Sequence, residues 1–92
     1  SIAVTLDNLK KQGVWVCGTR MEQADTLWQA DLTVPLAVVM GSEGKGLPKL
    51  VADKCDFFVK IPMRGKINSF NVSASCAMIL GEVLRQRSQK RS

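Results

Sequence analysis

Two short segments of this chain combine residue types that can do chemistry. The first is Gly41-Ser-Glu-Gly-Lys-Gly-Leu47, with three glycines inside six residues. Glycines directly after an apolar run let the backbone turn with positive φ and turn its N–H groups toward a ligand. Glu43 is the one acid of this loop, and it either orients a ligand or stands solvated at a turn. Lys45 is either a phosphate contact or an exposed side chain. The second segment is Ile61-Pro-Met-Arg-Gly-Lys-Ile-Asn-Ser-Phe-Asn71. Here a hydroxyl, Ser69, and an amide, Asn71, stand just before an apolar-periodic helix. They could hold a ribose hydroxyl or a carboxylate against the N–H groups of a helix N-terminus. Helix capping accounts for either residue equally well. The glycine spacing is neither the phosphate loop G-x-x-x-x-G-K-[ST] nor the dinucleotide G-x-G-x-x-G, and a tight surface turn would use the same glycines.

Several chemistries are excluded by composition. There is no histidine, so triads, metal sites and general bases built on imidazole are absent from this chain. Cys17, Cys55 and Cys76 are odd in number and show no C-x-x-C spacing. A disulfide framework or zinc centre is not expected, and a reducing, cytoplasmic setting is. The longest apolar run, Val34–Met40, contains Pro35 and is too short for a bilayer, so no membrane association is expected. The 92 residues carry 13 Lys and Arg against 8 Asp and Glu, a net charge of +5. That balance points to an anionic partner, nucleic acid first. Arg85, Arg87, Lys90 and Arg91 concentrate the excess at the end of the chain, suggesting a basic tail over 88–92 that meets phosphates electrostatically.

The elements that must position these segments read as α/β. A short helix ends at Gly13, a good residue to follow a helix, with Thr5 or Asp7 as its cap. Val14–Cys17 is a buried strand stopped by Gly18. A helical turn is expected over Ala24–Ala30. Leu36–Met40 is a second strand, apolar enough to be parallel and covered on both faces. Pro48 opens a helix of about two turns as its first helical residue. Phe57–Ile61 is a third strand, ended by Pro62. The last helix runs from Asn71 to Arg87, with Val72, Cys76, Ile79 and Val83 in one stripe that Leu80 and Leu84 widen. Ser73, Ala74, Ser75, Ala77 and Gly81 leave much of that helix smooth, which suits close helix packing or a subunit contact. Both candidate segments thus leave the carboxyl end of a strand, where open α/β sheets bind ligands.

Taken in order, strand, G-S-E-G-K-G-L, Cys55-Asp56, strand, I-P-M-x-G-x-x-x-S-F-N and a small-residue helix resemble motifs 2 and 3 of the SpoU/TrmH methyltransferases of the SPOUT superfamily. The resemblance covers nearly the whole chain. Val14-Trp-Val-Cys-Gly-Thr19 and Glu82-Val-Leu-Arg-Gln-Arg87 look most like the bacterial members that methylate a guanosine ribose in 23S rRNA. It implies an α/β-knot domain, of which residues 1–87 are the C-terminal part, with the last helix threaded through a loop as in a trefoil knot. It implies S-adenosyl-L-methionine as methyl donor. Gly41, Ile61 and Phe70 match the family's cofactor contacts, with Met40, Met63 and Thr19 as further candidates. Glu43, Ser69 and Asn71 match residues tied to catalysis and ribose placement. Phe70 replaces the usual leucine. RNA, rRNA foremost, a homodimer and no metal are the implied partners. Nothing in Ser1–Leu36 matches the family's earlier Asn/Arg motif, so this chain looks like the cofactor-binding half of the catalytic domain. A tRNA ribose methyltransferase, or a non-catalytic RNA-binding or dimerisation module on the same scaffold, is the alternative.

Overall fold

A computed structural model describes residues 1–42, 44–64 and 71–90. The described residues form four parallel strands and three helices. Strands β1 (Trp15–Thr19), β2 (Asp25–Thr26), β3 (Leu36–Val39) and β4 (Phe57–Lys60) lie in the order β2-β4-β1-β3. Helices α1 (Ile2–Lys11) and α2 (Lys49–Ala52) cover one face, and α3 (Val72–Lys90) covers the other.

The alternation of side chains along each strand sorts the core into two layers. Cys17, Leu36, Val38, Phe57 and Val59 point toward α3, where they meet Ile79 and Val83 together with Leu27, Ala30 and Leu32. Val16 and Val39 point the other way, against Leu6, Leu9, Leu47, Val51 and Cys55. One carboxylate ties the second layer together. Asp56 Oδ2 accepts from the Val16 N–H at 2.7 Å, its own N–H donates to the Val16 carbonyl at 2.7 Å, and Lys10 Nζ stands 3.4 Å from Oδ1. Strands β1 and β4 and helix α1 are fixed to one another at that point.

Several sequence expectations change. Ser1 caps α1, its Oγ accepting from the Val4 N–H at 3.3 Å, while Thr5 and Asp7 lie inside the helix. Gly18 does not stop β1 but sits within it, and the reason is packing. A Cβ there would lie 2.7 Å from Cys55 Sγ and 2.9 Å from both Leu47 Cδ1 and Phe58 Cδ1. The expected helical turn over 24–30 is instead β2, paired with β4 through Asp25–Val59 and Thr26–Lys60, and followed by a turn that buries Leu27 and Ala30. Pro48 precedes α2 as its cap residue in an extended conformation, and α2 is a single turn. Strand β3 packs into both layers, through Leu36 and Val38 on one face and Val39 on the other, but as the sheet edge it is only half-buried throughout.

Helix α3 continues to Lys90, past the expected end at Arg87. Its core contacts come from Ile79 and Val83. Leu80 and Leu84 leave the stripe and stand 52% and 68% exposed. Two residues of the expected basic end are bound to protein instead. Arg87 donates to the carbonyls of Leu32 at 3.2 Å and Val34 at 2.8 Å. Arg85 forks onto Glu82 at 2.7 and 2.9 Å. Between them Gln86 accepts from the Leu32 N–H at 2.9 Å and donates to the Ala30 carbonyl at 3.0 Å and to Glu82 at 2.9 Å. The expected threading of the last helix involves residues 65–70, which lie outside the described residues. Among the described residues, no helix is long and apolar enough to cross a membrane.

Candidate cofactor site

The carboxyl ends of β1, β3 and β4 open into a cavity of about 300 Å³. That is the low end of the roughly 300–1,000 Å³ usual for small-molecule sites. Val59 and Ile79, both fully buried, form part of its lining. Thr19, Arg20 and Met21 line it from the end of β1, and Met40, Gly41, Ser42, Gly44 and Gly46 from the loop after β3. Lys60, Ile61 and Met63 line it from the end of β4, and Val72 and Ser75 from the first turns of α3.

The glycine loop doubles back on itself. Ser42 and Gly46 form an isolated bridge, with the Gly46 N–H donating to the Ser42 carbonyl at 3.0 Å. Gly44 and Gly46 hold φ of +79° and +68°, which side-chain-bearing residues rarely adopt. Gly41 is required for a different reason. A Cβ there would lie 2.5 Å from the Gly46 carbonyl carbon, 2.8 Å from Gly46 Cα and 2.8 Å from Leu47 N, all backbone atoms. The loop is therefore closed at its base by backbone on backbone, and residues 41, 42, 44 and 46 all face the cavity.

Five sequence candidates meet here: Thr19, Met40, Gly41, Ile61 and Met63 line the same cavity. Glu43, Ser69 and Phe70 lie outside the described residues. Asn71 is exposed at the head of α3, its Oδ1 accepting from the Ala74 N–H at 2.7 Å. The capping reading of Asn71 is thus the one the geometry displays. The cap sets the first turn of α3, and Val72 and Ser75 reach the cavity from that turn.

Sequence reading missed Arg20, Met21, Ser42, Lys60, Val72 and Ser75. A signal existed for some. Arg20 and Lys60 stand at strand ends, where α/β ligands sit, and Val72, Ser75 and Ile79 follow helical spacing. The wall is amphipathic: apolar at Met40, Val59, Ile61 and Ile79, hydroxylic at Thr19, Ser42 and Ser75, cationic at Arg20 and Lys60. No carboxylate or thiol is among the described lining residues. Such a wall can hold and orient a molecule with an apolar ring and polar arms. Among its described residues the oxygens that could accept a proton are hydroxyl and backbone oxygens.

The cysteines lie elsewhere. Burial, and less so the neighbouring Cys55, pushes the Cys17 thiol up to about 12, and Cys55 is raised chiefly by burial too. Neither is a nucleophile at neutral pH. Among the described residues no three metal-ligating groups converge. A second hollow, about 280 Å³, lies at the opposite end of the sheet between Trp15, Asp25, Asp31, Val34 and Phe57.

Comparison with known proteins places this geometry. The chain is 46% identical over 91 residues to the 23S rRNA (guanosine-2′-O-)-methyltransferase RlmB of Pseudomonas putida, covering 99% of this chain and 37% of that protein. The TrmH/SpoU tRNA modifying enzyme of A. aeolicus superposes with a TM-score of 0.90 at 30% identity, over 98% of this chain and 46% of that one. The SpoU methyltransferase AviRb from Streptomyces viridochromogenes, solved in complex with AdoMet, gives 0.82 at 28% identity, over 96% and 36%. The chain therefore spans less than half the length of these relatives, 36% to 46%, and its parallel sheet with flanking helices is a part of their fold. The model of the SpoU rRNA Methylase family matches residues 1–81, and the chain belongs to that family.

Proposed function

We propose that this chain is the S-adenosyl-L-methionine-binding portion of an enzyme that methylates a ribose 2′-hydroxyl of RNA, with a guanosine of 23S rRNA as the target class. The observation that carries this is the convergence of Thr19, Met40, Gly41, Ile61 and Met63 on one cavity at the carboxyl ends of three parallel strands. The donor set suits the cofactor. The apolar wall of Met40, Ile61 and Ile79 accommodates a purine. The loop closed by Gly41 and Gly46 offers backbone polar groups, and Thr19, Ser42 and Ser75 offer hydroxyls. When bound, the cofactor supplies an activated methyl group on a sulfonium.

The chain's own residues act by position. The cap at Asn71 fixes the head of α3, and with it Val72 and Ser75, against the glycine loop. Alignment of two reactants in this way can supply about 7–11 kcal/mol of a rate enhancement. Glu43, Ser69 and Asn71 are assigned to ribose placement and to the proton that leaves the hydroxyl. No carboxylate is among the described residues of the cavity wall, and for the base this chain offers only carboxylates and lysines, Glu43 first by its motif position. Residues 1–87 make up this portion of the domain, and Lys90 and Arg91 after them add positive charge toward RNA. A homodimer through the exposed face of α3, where Ala77, Leu80, Gly81 and Leu84 stand in line, fits the same reading.

Calorimetric titration of the intact protein with S-adenosylhomocysteine tests the proposal. A single saturable site is expected, together with methyl incorporation into ribosomal RNA from labelled donor. A folded protein that gives no heat sinks the reading. Saturable cofactor binding with salt-sensitive RNA binding but no methyl transfer would instead identify a non-catalytic RNA module.

A further inference from the structure

The mouth of the cavity carries two cationic residues on neighbouring strands. The register between β1 and β4 sets Gly18 beside Phe58 and Thr19 beside Val59. The next step along both strands sets Arg20 beside Lys60, and the Arg20 N–H still donates to the Val59 carbonyl at 3.2 Å. Both residues are among those that line the cavity. Like charges facing each other across neighbouring strands repel. Among the described residues, no carboxylate lies within ion-pairing distance of either.

The surroundings hold Arg20 in this position. Its guanidinium lies over the Phe58 ring, 3.3 Å from the centroid. The ring can lie there because Gly18 has no side chain: a Cβ would meet Phe58 Cδ1 at 2.9 Å. Arg20 Nη2 donates to the Gln23 carbonyl at 3.2 Å, and Gln23 has the only positive φ of a non-glycine among the described residues, +52°. A stacked guanidinium keeps its plane fixed and its remaining N–H groups directed outward. Phe58 and Gln23 thus orient a cation that has no anionic partner among the described residues.

We propose that Arg20 and Lys60 together bind a backbone phosphate of the RNA at the mouth of the cavity, positioning the target nucleotide over the methyl-donor site. This rests on the reading of the cavity as a cofactor site. A phosphate between the two side chains would turn their repulsion into two charge-assisted contacts, with Arg20 supplying the planar fork. The same chemistry could serve a carboxylate of the cofactor, and the two sources separate by experiment.

The test uses the intact protein, a fluorescein-labelled RNA hairpin with an unpaired loop, and fluorescence anisotropy across a range of salt. Arg20→Gln and Lys60→Gln are each expected to weaken RNA binding by roughly three- to tenfold at low salt, and to flatten the plot of log affinity against log salt by about 0.7–0.9. Phe58→Leu keeps the charge and removes the platform. It is expected to weaken RNA binding with the salt slope unchanged. In all three the loss of RNA affinity should exceed any loss of S-adenosylhomocysteine affinity several-fold, with melting temperatures recorded to confirm folding. An unchanged salt slope in both Gln variants overturns the proposal. So does a loss of S-adenosylhomocysteine affinity in step with RNA affinity, which would assign the pair to the cofactor's carboxylate. Failure of the wild-type protein to bind S-adenosylhomocysteine at all strikes the cofactor reading itself, independently of the salt slopes.

Discussion

Replacing Gly41 by alanine tests the glycine loop at its tightest point. The added Cβ would fall 2.5 Å from one carbon of Gly46, 2.8 Å from another and 2.8 Å from Leu47 N. Carbon atoms prefer roughly 3.5–4.0 Å, so the two arms of the loop must part by about 1 Å. No rotamer change relieves this, because every clashing atom is backbone. Overpacking of this kind costs about 1–3 kcal/mol. The cheapest escape is to open the loop and give up the Ser42–Gly46 bridge, with the cavity wall moving with it. If the cost is met on ligand binding, it corresponds to about 5- to 150-fold in affinity. Titration of Gly41→Ala and wild type with S-adenosylhomocysteine, beside urea denaturation of both, divides the cost between site and fold. The comparison variant is Gly81→Ala, where a Cβ meets nothing within 4 Å. It should stabilise α3 by about 0.5–1 kcal/mol and leave cofactor affinity alone. If Gly41→Ala shows wild-type affinity and wild-type stability together, the backbone apposition does not shape the site and the reasoning fails.

Three further outcomes follow from the packing and the charges. Gln86→Ala leaves the N–H of fully buried Leu32 without its acceptor and should lower unfolding free energy by about 1–3 kcal/mol in urea titrations. Hydrogen bonds from Arg85 and Gln86 hold the Glu82 carboxyl down at about 2, below its ordinary 4.5, so its contribution is complete above pH 4.5 and disappears as pH falls toward 2. Glu82→Gln should flatten the stability profile in that acid window while leaving the neutral limb parallel to wild type. The Cys17 thiol, raised to about 12 by burial, should resist iodoacetamide at pH 8 in the native protein and react once urea is added; native-state labelling would show that the sheet opens there.

What could be read from the sequence was what short-range patterns encode. The glycines at 41, 44 and 46 announced a tight loop at a strand end, because positive φ and close backbone approach leave few other residues possible. Asn71 announced a helix start for the same kind of local reason. Long-range packing stayed hidden. Gly18 looked like a strand terminator, since nothing nearby in sequence indicates that Leu47, Cys55 and Phe58 crowd the space where its side chain would be. Asp25 and Thr26 have no strand signature of their own, and their conformation is supplied by pairing with β4, more than thirty residues later. The periodicity of α3 located the helix but overstated its buried stripe, because spacing alone does not say where the opposing layer ends. The same limit applied at the site: Arg20 and Lys60 are ordinary surface cations until the β1–β4 register brings them together.

The clasp at the far end of α3 has a mechanical consequence. Gln86 and Arg87 pin the helix to the 30–34 segment, while Val72 and Ser75 project into the cavity from its other end. Ser75 and Gln86 are about 16 Å apart along the axis, from the 1.5 Å rise per residue. A tilt of about 5° around the pinned end would carry Ser75 by more than 1 Å, a displacement on the scale that can cost about a hundredfold in rate when it misaligns reactants. The helix behaves as a lever whose fulcrum is an amide, so the shape of the cavity is calibrated from a point outside its lining.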